Sequence, residues 1–339
     1  QMAQHTVGSV SLLPRWGLAA AALAAALAAG VTMLLLHAQT GQETRPAHLA
    51  TPADVDPLLY ELTFRVDVAH GVYAGDETVH LRVHRAVDTV SFHAVGLDIP
   101  LESIRFTVRD RTINATAVRR DDTDPDMLVV SVAEPLPAGE GDVTMQLSFS
   151  APISDGLAGF YKATLKGDNT LSEDARKMAV TQFEPADARR AFPCWDEPVK
   201  KARFRLTFVV EEQYTVLSNT AVVAAAPCDA PREFSSGNGQ VRAWKRVEFG
   251  ETPLMSTYLV AFVVGHFDHV EATTRHGVTV RVYTPPGKSE QGRFALECGT
   301  WALDFYTDYF GVGFPLPKCD MVAVPDFCAG AMVNWGLVS

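Results

Sequence analysis

The chain has 339 residues, of which 47% are hydrophobic and 20% charged, and its formal net charge at pH 7 is −11. This length and apolar content suffice for a sizeable core and about two domains, and they exclude an intrinsically disordered protein. The acidic residues are spread along the sequence and no basic run occurs, so we expect no nucleic-acid partner.

The first predicted element is a transmembrane helix at residues 17–36. This stretch contains no charged residue, and a helix of that length spans about 30 Å, the thickness of the hydrocarbon core. The alternative is a cleaved signal peptide, whose apolar region is usually shorter, about 7 to 15 residues. Arg15 precedes the apolar run, whereas Glu43 and Arg45 cancel on the other side, which predicts a cytoplasmic tail at residues 1–16. These features together predict a single-pass type II membrane protein whose folded part is extracellular or lumenal.

Residues 37–57 are polar, rich in Ala, Thr and Pro, and without periodicity, which predicts a stalk. Further along, Asn114 opens an Asn-Ala-Thr triplet, which is an acceptor for N-glycosylation. Only the type II arrangement exposes that acceptor to the glycosylation machinery. Such triplets also occur by chance, so this one adds little to the topology on its own.

Residues 58–267 are predicted to form an N-terminal domain made of antiparallel β-strands. Eight stretches in this region alternate or cluster β-branched and aromatic residues, and Pro, Gly, Asp and Asn separate them. They are YELTFRVDV, ETVHLRVHR, MLVVSVAEP, VTMQLSFS, GFYKATL, KMAVTQF, ARFRLTFVV and VRAWKRVEF. Many short strands without an intervening helical period indicate a β-sandwich or a β-saddle.

Residues 268–339 change to a mixed α and β pattern, which sets the domain boundary near residue 267. Residues 278–284 are predicted as one more strand, and the stretch DMVAV as another. Between them, apolar residues at steps of three and four predict an amphipathic helix that begins near Ser289 as its cap and stops at Gly311. The residues with this spacing are Phe294, Cys298, Trp301, Phe305 and Tyr309.

No HExxH, Walker-type, GxSxG or calcium-loop motif occurs in the chain. We interpret His266 and His269 as surface or loop histidines rather than metal ligands, because no glutamate lies between them. The five cysteines form no CxxC pair. Cys319 and Cys328 could close a short loop in an oxidising compartment, and free buried thiols are the alternative.

Two stretches carry more information than the rest of the chain. TQFEPADARRAFPCWDEP, residues 181–198, is compatible with a structural knot in which Arg189 and Arg190 pair with carboxylates while aromatic residues pack around them. VPDFCAGAMVNWGL, residues 324–337, has small residues that leave the backbone open to an extended peptide. An ordinary edge strand is the alternative for this second stretch.

Taken together, the two stretches resemble motifs of the gluzincin zinc aminopeptidases, of the aminopeptidase N type. In that family a TQFEP…DARRAFPC(F/W)DEP segment belongs to a β-saddle domain, and a PDF…GAMENWGL strand lies near the start of a thermolysin-like α+β catalytic domain. The resemblance extends from about Leu58 to Ser339. It implies the N-terminal portion of a membrane-bound enzyme that uses one zinc ion to remove N-terminal residues from peptides with free N-termini.

The resemblance also implies a substrate site. The family binds the substrate's α-ammonium with the carboxylate of the QFE segment and with the glutamate of GAMEN, since a buried ammonium needs compensating charge. By position Glu184 is the first of these carboxylates, and Gln182 lines the pocket for the first side chain. The residues expected along the substrate strand and pocket wall are Gly330, Ala331, Met332, Val333 and Asn334.

The chain departs from the family pattern in two ways. Val333 replaces the GAMEN glutamate, and a charge-assisted hydrogen bond of this kind is worth about 1.5–3 kcal/mol. The zinc motif of the family lies beyond GAMEN, so the zinc ligands are expected in a C-terminal part that this sequence does not contain. Because the sequence opens on Gln1 and ends just after an apolar run, we interpret it as a fragment that is inactive as given and has no catalytic or metal-binding residue.

Two other hypotheses come from different functional classes. The first is a naturally truncated protein or pseudopeptidase whose ectodomain acts only in binding, since Val333 indicates a relaxed catalytic requirement. The second is an unrelated β-sandwich adhesion ectodomain, which explains the strands and the anchor but neither motif. An HExxH motif with a distal glutamate downstream in the transcript distinguishes the enzyme from both.

Overall fold

The computed structural model describes residues 51–167, 170–234, 242–327 and 330–339. Residues 50–339 form one compact unit. The predicted tail, the predicted transmembrane helix at 17–36 and the start of the predicted stalk lie outside the described residues. Within the described ranges, no helix is both long enough and apolar enough to cross a membrane.

Most of the regular structure in the described part of the chain is β-strand. The strands are β1 (Val55–Asp67), β2 (Val72–Val83), β3 (Val87–His93), β4 (Arg105–Val108), β5 (Arg111–Arg120), β6 (Met127–Leu136), β7 (Gly139–Pro152), β8 (Gly159–Thr164), β9 (Lys177–Gln182), β10 (Arg203–Glu211), β11 (Thr215–Ser218), β12 (Val222–Cys228), β13 (Trp244–Phe249), β14 (Phe262–Gly265), β15 (Asp268–Thr273), β16 (Thr279–Thr284), β17 (Lys318–Val322), β18 (Val333–Asn334) and β19 (Leu337–Val338). The α-helix described among them is α1 (Arg293–Phe310). The mainly β architecture is confirmed, and each of the eight predicted stretches contains a strand.

The described strands form three sheets. A ten-stranded sheet has the order β12-β13-β10-β1-β2-β7-β4-β5-β6-β3, and a four-stranded sheet has the order β11-β14-β9-β8. A five-stranded sheet, β15-β16-β17-β19-β18, contains the C-terminal strands. The four-stranded sheet ends with β14 at Gly265, and the five-stranded sheet begins with β15 at Asp268.

The predicted N-terminal domain is not wholly antiparallel. Strand β1 pairs with β2 in the antiparallel sense but with β10 in the parallel sense, from Leu59 opposite Arg203 to Arg65 opposite Val209. A parallel pair needs a long crossover connection, and the strands between β1 and β10 provide it. The prediction of a purely antiparallel domain was therefore wrong at this pair.

Aromatic rings join the ten-stranded sheet to the four-stranded sheet. Phe64 of β1 lies 4.8 Å from Phe262 of β14, and Tyr73 of β2 lies 5.1 Å from Phe160 of β8, between ring centroids. All four rings are buried, and full burial of such a side chain contributes about 1.5–3 kcal/mol. The two sheets therefore share one core, as expected of a sandwich.

Helix α1 packs on β15 and β16 of the five-stranded sheet. Leu296 is buried against Val280 and Val282 of β16. The predicted helix and its stop are confirmed, because Gly311 follows the last helical residue with a φ of 67°, the left-handed conformation that glycine adopts readily. The predicted cap was wrong: Ser289 begins a single 3₁₀ turn, so the residue before the α-helix is Gly292.

A carboxyl group lies inside the core of the ten-stranded sheet. Glu77 of β2 is 2% exposed, and both of its carboxylate oxygens lack a hydrogen-bond partner. The residues directly opposite on the neighbouring strands are Leu62 and Leu147, both buried. Burial disfavours the charged form and raises the pKa of Glu77 well above its ordinary value.

We expect Glu77→Met to stabilise the protein, and to do so more strongly as the pH rises. The pKa of Glu77 is higher in the folded state than in the unfolded state. Its contribution to the stability of the protein is therefore complete below the unfolded pKa, where the carboxyl is neutral in both states. That contribution is lost as the pH rises through the folded pKa. The gain should grow by up to about 1.4 kcal/mol per pH unit, and therefore by no more than about 4 kcal/mol between pH 5 and pH 8. Urea unfolding at pH 5 and pH 8 measures it.

Glu61→Gln on the adjacent strand is the matched control. Glu61 is half-exposed, and hydrogen bonds from His80 and Arg205 lower its pKa. A group with a lowered pKa contributes stability above its unfolded pKa. Glu61→Gln should therefore lower the free energy of unfolding by about the same amount at pH 5 and at pH 8. A gain for Glu77→Met that does not change between pH 5 and pH 8 contradicts the assignment of a neutral buried carboxyl.

Candidate functional site

The motif at residues 181–198 folds around a buried arginine. Strand β9 ends at Gln182, and a short helical turn follows at Ala188–Arg190. Arg189 is 2% exposed and donates from Nε to Asp196 Oδ2 at 3.0 Å and from an Nη atom to Asp126 at 3.2 Å. Burial acts to lower the pKa of Arg189, but the adjacent Asp196 carboxylate outweighs burial and raises that pKa above its usual value.

Asp196 is the centre of this knot. Besides the Arg189 side chain, it accepts hydrogen bonds from the backbone N–H of Arg189 at 3.2 Å and from Thr257 Oγ1 at 2.6 Å. Phe192 and Trp195 of the same motif are fully buried beside it. A charge-assisted network of this kind is stable in a core because its ions have partners.

The second arginine of the motif has a different environment. Arg190 is half-exposed and pairs with Asp187 at 2.7 Å. Its Cβ packs closely against Gly159, whose φ is 71°. A Cβ added at Gly159 would lie 2.7 Å from the Cβ of Arg190. The predicted pairing of both arginines with carboxylates is therefore confirmed, but only the Arg189 pair is buried.

The two predicted substrate residues of this motif lie at its open end. Gln182 is 7% exposed, its Nε2 is 3.4 Å from the carbonyl oxygen of Glu184, and its Oε1 is buried without a hydrogen-bond partner. Glu184 is exposed, and the peptide bond to Pro185 is cis. The carboxylate of Glu184 is therefore accessible from solvent.

The C-terminal motif forms a tight hairpin. Val333 of β18 pairs with Val338 of β19, and Met332 and Ser339 exchange backbone hydrogen bonds of 2.7 and 3.0 Å. Met332 and Asn334 are buried, whereas Val333 is 68% exposed. Gly330 and Ala331 are exposed as well. The alternation of a strand therefore places Val333 on the open face of the outermost strand.

Lys318 anchors this hairpin to the rest of the molecule. Its ammonium donates to the carbonyl oxygens of Ser218, at the end of β11, and of Gly336, in the hairpin turn, the latter at 2.8 Å. It also pairs with Asp320 at 2.8 Å, and both side chains are buried. Burial lowers the pKa of Lys318, although Asp320 opposes that shift.

Asn219 makes a second connection at the same place. Its Nδ2 donates to the carbonyl oxygens of Leu259 and Trp335, both at 2.8 Å, and its Oδ1 accepts from the backbone N–H of Ala261 at 2.9 Å. At Gly336, where φ is 76°, an added Cβ would lie 2.0 Å from Asn219 O. Only glycine fits this turn against the end of β11.

The strand that leads into the first motif and the C-terminal motif pack on one hydrophobic cluster. Val180 of β9 and Leu337 of β19 belong to it, together with Tyr161 of β8, whose hydroxyl donates to Asp326 O at 3.1 Å. Within the described residues, no hydrogen bond or ion pair joins Glu184 to the segment 330–334. The motifs therefore share a support without a direct polar contact between their substrate residues.

The remaining predicted positions lie elsewhere. His266 contacts Asp174 at 3.2 Å, and His269 lies on β15 with its ring 5.0 Å from that of Tyr283. Asn114 is exposed on β5. Across the described ranges, no group of three or more His, Cys, Asp or Glu side chains is arranged to hold a metal ion.

The described cysteines are free thiols. They are Cys194, Cys228, Cys298 and Cys319. Burial raises the pKa of Cys319 to about 11, so its thiolate is disfavoured. Cys328 lies outside the described residues, and the loop between Cys319 and Cys328 stays a prediction.

Comparison with known sequences identifies the family. The Peptidase M1 N-terminal domain matches residues 56–259, and the Peptidase family M1 domain matches residues 294–339. The chain belongs to peptidase family M1. The predicted resemblance to aminopeptidases of the aminopeptidase N type is thereby confirmed.

Curated relatives of this M1 chain include plant and animal proteins. It is 41% identical to Aminopeptidase M1-B of Oryza sativa subsp. japonica over 288 residues, which is 85% of this chain and 30% of that protein. It is 40% identical to Aminopeptidase M1 of Arabidopsis thaliana over 285 residues, 84% of this chain and 30% of that protein. Puromycin-sensitive aminopeptidase of Caenorhabditis elegans is 35% identical over 288 residues, 85% of this chain and 28% of that protein. The chain thus spans about 30% of the length of these relatives.

Sequence reasoning missed two residues that position the hairpin of this M1 chain, Lys318 and Asn219. A signal was present for the first, because Lys318 lies two residues before Asp320, the first residue of the predicted strand DMVAV, and the two share one face when the strand extends back to Lys318. A charged pair on the buried face of a strand indicates a specific set of partners. No local pattern distinguishes Asn219, whose partners are set by the tertiary fold.

We expect Arg189→Met and Arg190→Met to differ sharply in stability. Arg189→Met leaves Asp196 buried without its cation and should lower the free energy of unfolding by about 3–5 kcal/mol. Arg190→Met removes a half-exposed pair and should cost no more than about 1 kcal/mol. Urea unfolding of both variants measures the difference, and equal losses contradict the assignment of Arg189 as the buried cation that balances Asp196.

We expect Lys318→Met to loosen the hairpin. The substitution removes the nearest cation from buried Asp320 and leaves it only Arg281 at 3.8 Å, at a cost of up to about 5 kcal/mol. Hydrogen exchange of the Asp320, Met332 and Ser339 amides, which bond within or to the hairpin, should accelerate.

Lys166→Met is the matched control for Lys318→Met. Lys166 also links the β-domain to the C-terminal region, through Asp326 at 3.3 Å, but its side chain is 81% exposed. Its removal should therefore change stability by less than about 1 kcal/mol. Adding Asp320→Leu to Lys318→Met should recover part of the loss. Unchanged exchange in Lys318→Met shows that Asn219 alone holds the hairpin.

Proposed function

We propose that this chain is the N-terminal portion of a membrane-bound zinc aminopeptidase that removes N-terminal residues from peptides. Membership of family M1 supports the proposal, as do the three relatives named above, each of which is an aminopeptidase. The observation that carries it is the open edge at β18, the outermost strand of the five-stranded sheet. An extended peptide can add to such an edge through main-chain hydrogen bonds.

The substrate's α-ammonium is bound by Glu184 in this proposal. Its side chain is exposed, and no described residue uses its carboxylate in a hydrogen bond or ion pair. Gln182 lines the pocket for the first side chain, and its buried, unpartnered Oε1 is available to a ligand. Gly330, Ala331 and Val333 run beside the peptide, while the buried Met332 and Asn334 support the strand from beneath.

Val333 weakens the proposed ammonium site. The resemblance expects a carboxylate at this position, and the valine side chain there is uncharged and 68% exposed. Glu184 is then the one carboxylate of the pair that remains. The substrate's ammonium loses its hydration on binding, and one carboxylate compensates for that loss less completely than two. It therefore binds less tightly than in a site with both carboxylates.

The residues described here do not fit a zinc site, because they include no suitable group of three ligands. We propose that the zinc ligands belong to the part of the M1 catalytic domain that this chain does not span. No catalytic residue is assigned within the chain, and its own contribution is to bind and orient the peptide.

A second candidate function is peptide binding without hydrolysis, in a truncated protein or pseudopeptidase. Val333 is the observation that favours it, since recognition of a peptide backbone does not require the second carboxylate. The transcript downstream of Ser339 distinguishes the two. An HExxH motif with a distal glutamate favours the enzyme, and a stop codon favours the binding protein.

We propose the following arrangement along the chain. Residues 1–16 are cytoplasmic, residues 17–36 anchor the protein in the membrane and residues 37–57 form the stalk. The β-saddle domain at 58–267 and the start of the thermolysin-like catalytic domain at 268–339 then face the outside or the lumen. The change of sheet between β14 and β15 supports that boundary. The exposure of Asn114 supports its use as a glycosylation site.

We expect Val333→Glu to tighten binding of dipeptides with a free N-terminus. A restored charge-assisted bond of about 1.5–3 kcal/mol corresponds to a gain of about 10- to 150-fold in affinity. N-acetylated dipeptides, which lack the ammonium, should show no gain. Glu184→Gln should weaken binding of the free dipeptides in the same range. Titration calorimetry with matched free and acetylated peptides measures both effects.

Val333→Gln is the control, because it matches the size of glutamate without its charge. If the free and acetylated peptides bind equally well while Glu184 is present, the ammonium site is wrong. In a longer form that contains the rest of the catalytic domain, Val333→Glu should raise kcat/KM for peptide hydrolysis. Equal turnover of that form with Val333 and with Glu at this position contradicts the role of the second carboxylate.

A further inference from the structure

Helix α1 carries a row of exposed aromatic side chains, which we call the aromatic face. Its members are Phe294, Trp301, Phe305, Tyr306, Tyr309 and Phe310. The rings contact one another along the helix: Trp301 stacks on Phe305 at 5.0 Å, and Phe305 stacks on Tyr309 at 5.8 Å, between centroids. Three members, Trp301, Tyr309 and Phe310, are 60%, 71% and 65% exposed. An apolar patch of this kind usually marks an interaction surface.

Phe294, Trp301, Phe305 and Tyr309 lie on a side of α1 separate from the one that packs on the five-stranded sheet, whereas the exposed Tyr306 and Phe310 continue the packed side at the C-terminal end of the helix. The packed face uses Leu296, Leu303 and Gly299, the last of which leaves room for Met321 of β17. The helix is therefore apolar on two sides. A helix with two apolar sides is typical of an element covered on both.

The charged residues of α1 flank the rings of the aromatic face, and exposed Glu297 lies three residues after Phe294 and four before Trp301. Arg293 pairs with Glu290 at the start of the helix. Asp304 and Asp308 bind Arg275, which precedes β16. The rings themselves are uncharged, so the occupant of the aromatic face should be largely apolar. The helix carries more acidic than basic residues, which disfavours an anionic lipid surface.

The match to the Peptidase family M1 domain begins at Phe294, the first member of the aromatic face, and covers residues 294–339. The relatives are about three times as long as the region they share with this chain, since that region is 30% of Aminopeptidase M1-B. Helix α1 thus opens the stretch that matches this domain, and the relatives continue beyond the region that they share with this chain. We propose that the aromatic face is the docking surface for the part of the domain beyond that region, which covers the rings in the assembled domain.

Hydroxyl-radical footprinting with mass spectrometry tests this proposal. The full chain is compared with a fusion in which the portion of rice Aminopeptidase M1-B beyond the shared region follows Ser339. Both proteins are measured in the same detergent. Trp301, Tyr309 and Phe310 should react several-fold more slowly in the fusion. Val199 and Leu254, which are exposed apolar residues of the β-domain, should react equally in both and report any detergent coverage.

Substitutions on the two sides of α1 test the chain alone. Trp301→Lys and Tyr309→Lys should shift the unfolding midpoint of this chain by no more than about 2 °C, because their side chains are 60% and 71% exposed. Leu296→Lys on the packed face is the matched control and should lower the midpoint by about 6 °C or more. In the fusion, the two aromatic substitutions should abolish the protection of Phe310.

Three results overturn the proposal. The first is an equal rate of ring oxidation in the chain and the fusion. The second is protection of the rings in the chain alone that disappears on dilution, which assigns the face to a second copy. The third is a loss of stability in Trp301→Lys as large as in Leu296→Lys. Each is independent of the ammonium site, because none of these measurements uses a peptide substrate.

Discussion

The ammonium of Lys318 joins the parts of the chain on which the candidate site depends. An ammonium has three donors, and here they have three acceptors: Ser218 O, Gly336 O and Asp320 Oδ2. Removing a lysine and an aspartate from water costs several kcal/mol for each ion, so such a pair persists only when its geometry and hydrogen bonds are nearly complete. The result is an edge strand, β18, held in a fixed position relative to the four-stranded sheet, whose strand β9 ends at Gln182.

The motif at 181–198 contains both a buried ion-pair network and the exposed carboxylate that we propose binds the substrate. Arg189 and Asp196 are buried and satisfied by each other and by Thr257, which leaves them unavailable to a ligand. Glu184, only a few residues earlier, is exposed and free of ion pairs. The knot and the substrate site are therefore not competing interpretations of this motif, because the buried network fixes the loop that presents the exposed carboxylate.

The C-terminal region has a different character from the β-domain. In the β-domain the aromatic rings point inward and join two sheets, as Phe64 and Phe262 do. On α1 the small and aliphatic side chains pack on the sheet, and the rings of Trp301 and Tyr309 point to solvent. Burial of rings is a large favourable term in folding, so their exposure on a regular helix is the property of an element that belongs to a larger assembly.

The sequence by itself determined the strands, the helix and the family. Alternation of apolar residues is local, and so it predicted the eight stretches that contain strands and the helix that stops at Gly311. The two long motifs were sufficient for family M1, because their residue order and spacing can be read without a fold. The replacement of a carboxylate by Val333 was visible in the same way.

Only the tertiary structure decided which elements pair and which residues are buried. The parallel contact of β1 with β10 joins segments far apart in the chain, and no local pattern specifies such a partner. The same is true of Arg189 and Arg190, adjacent residues of identical chemistry, of which one is buried and the other half-exposed. The helical period predicted α1, but the aromatic residues that carried it, from Phe294 to Tyr309, are exposed, and Leu296 faces the sheet instead. Periodicity reports that the environment alternates along a segment, whereas the identity of each neighbour depends on contacts between distant parts of the chain.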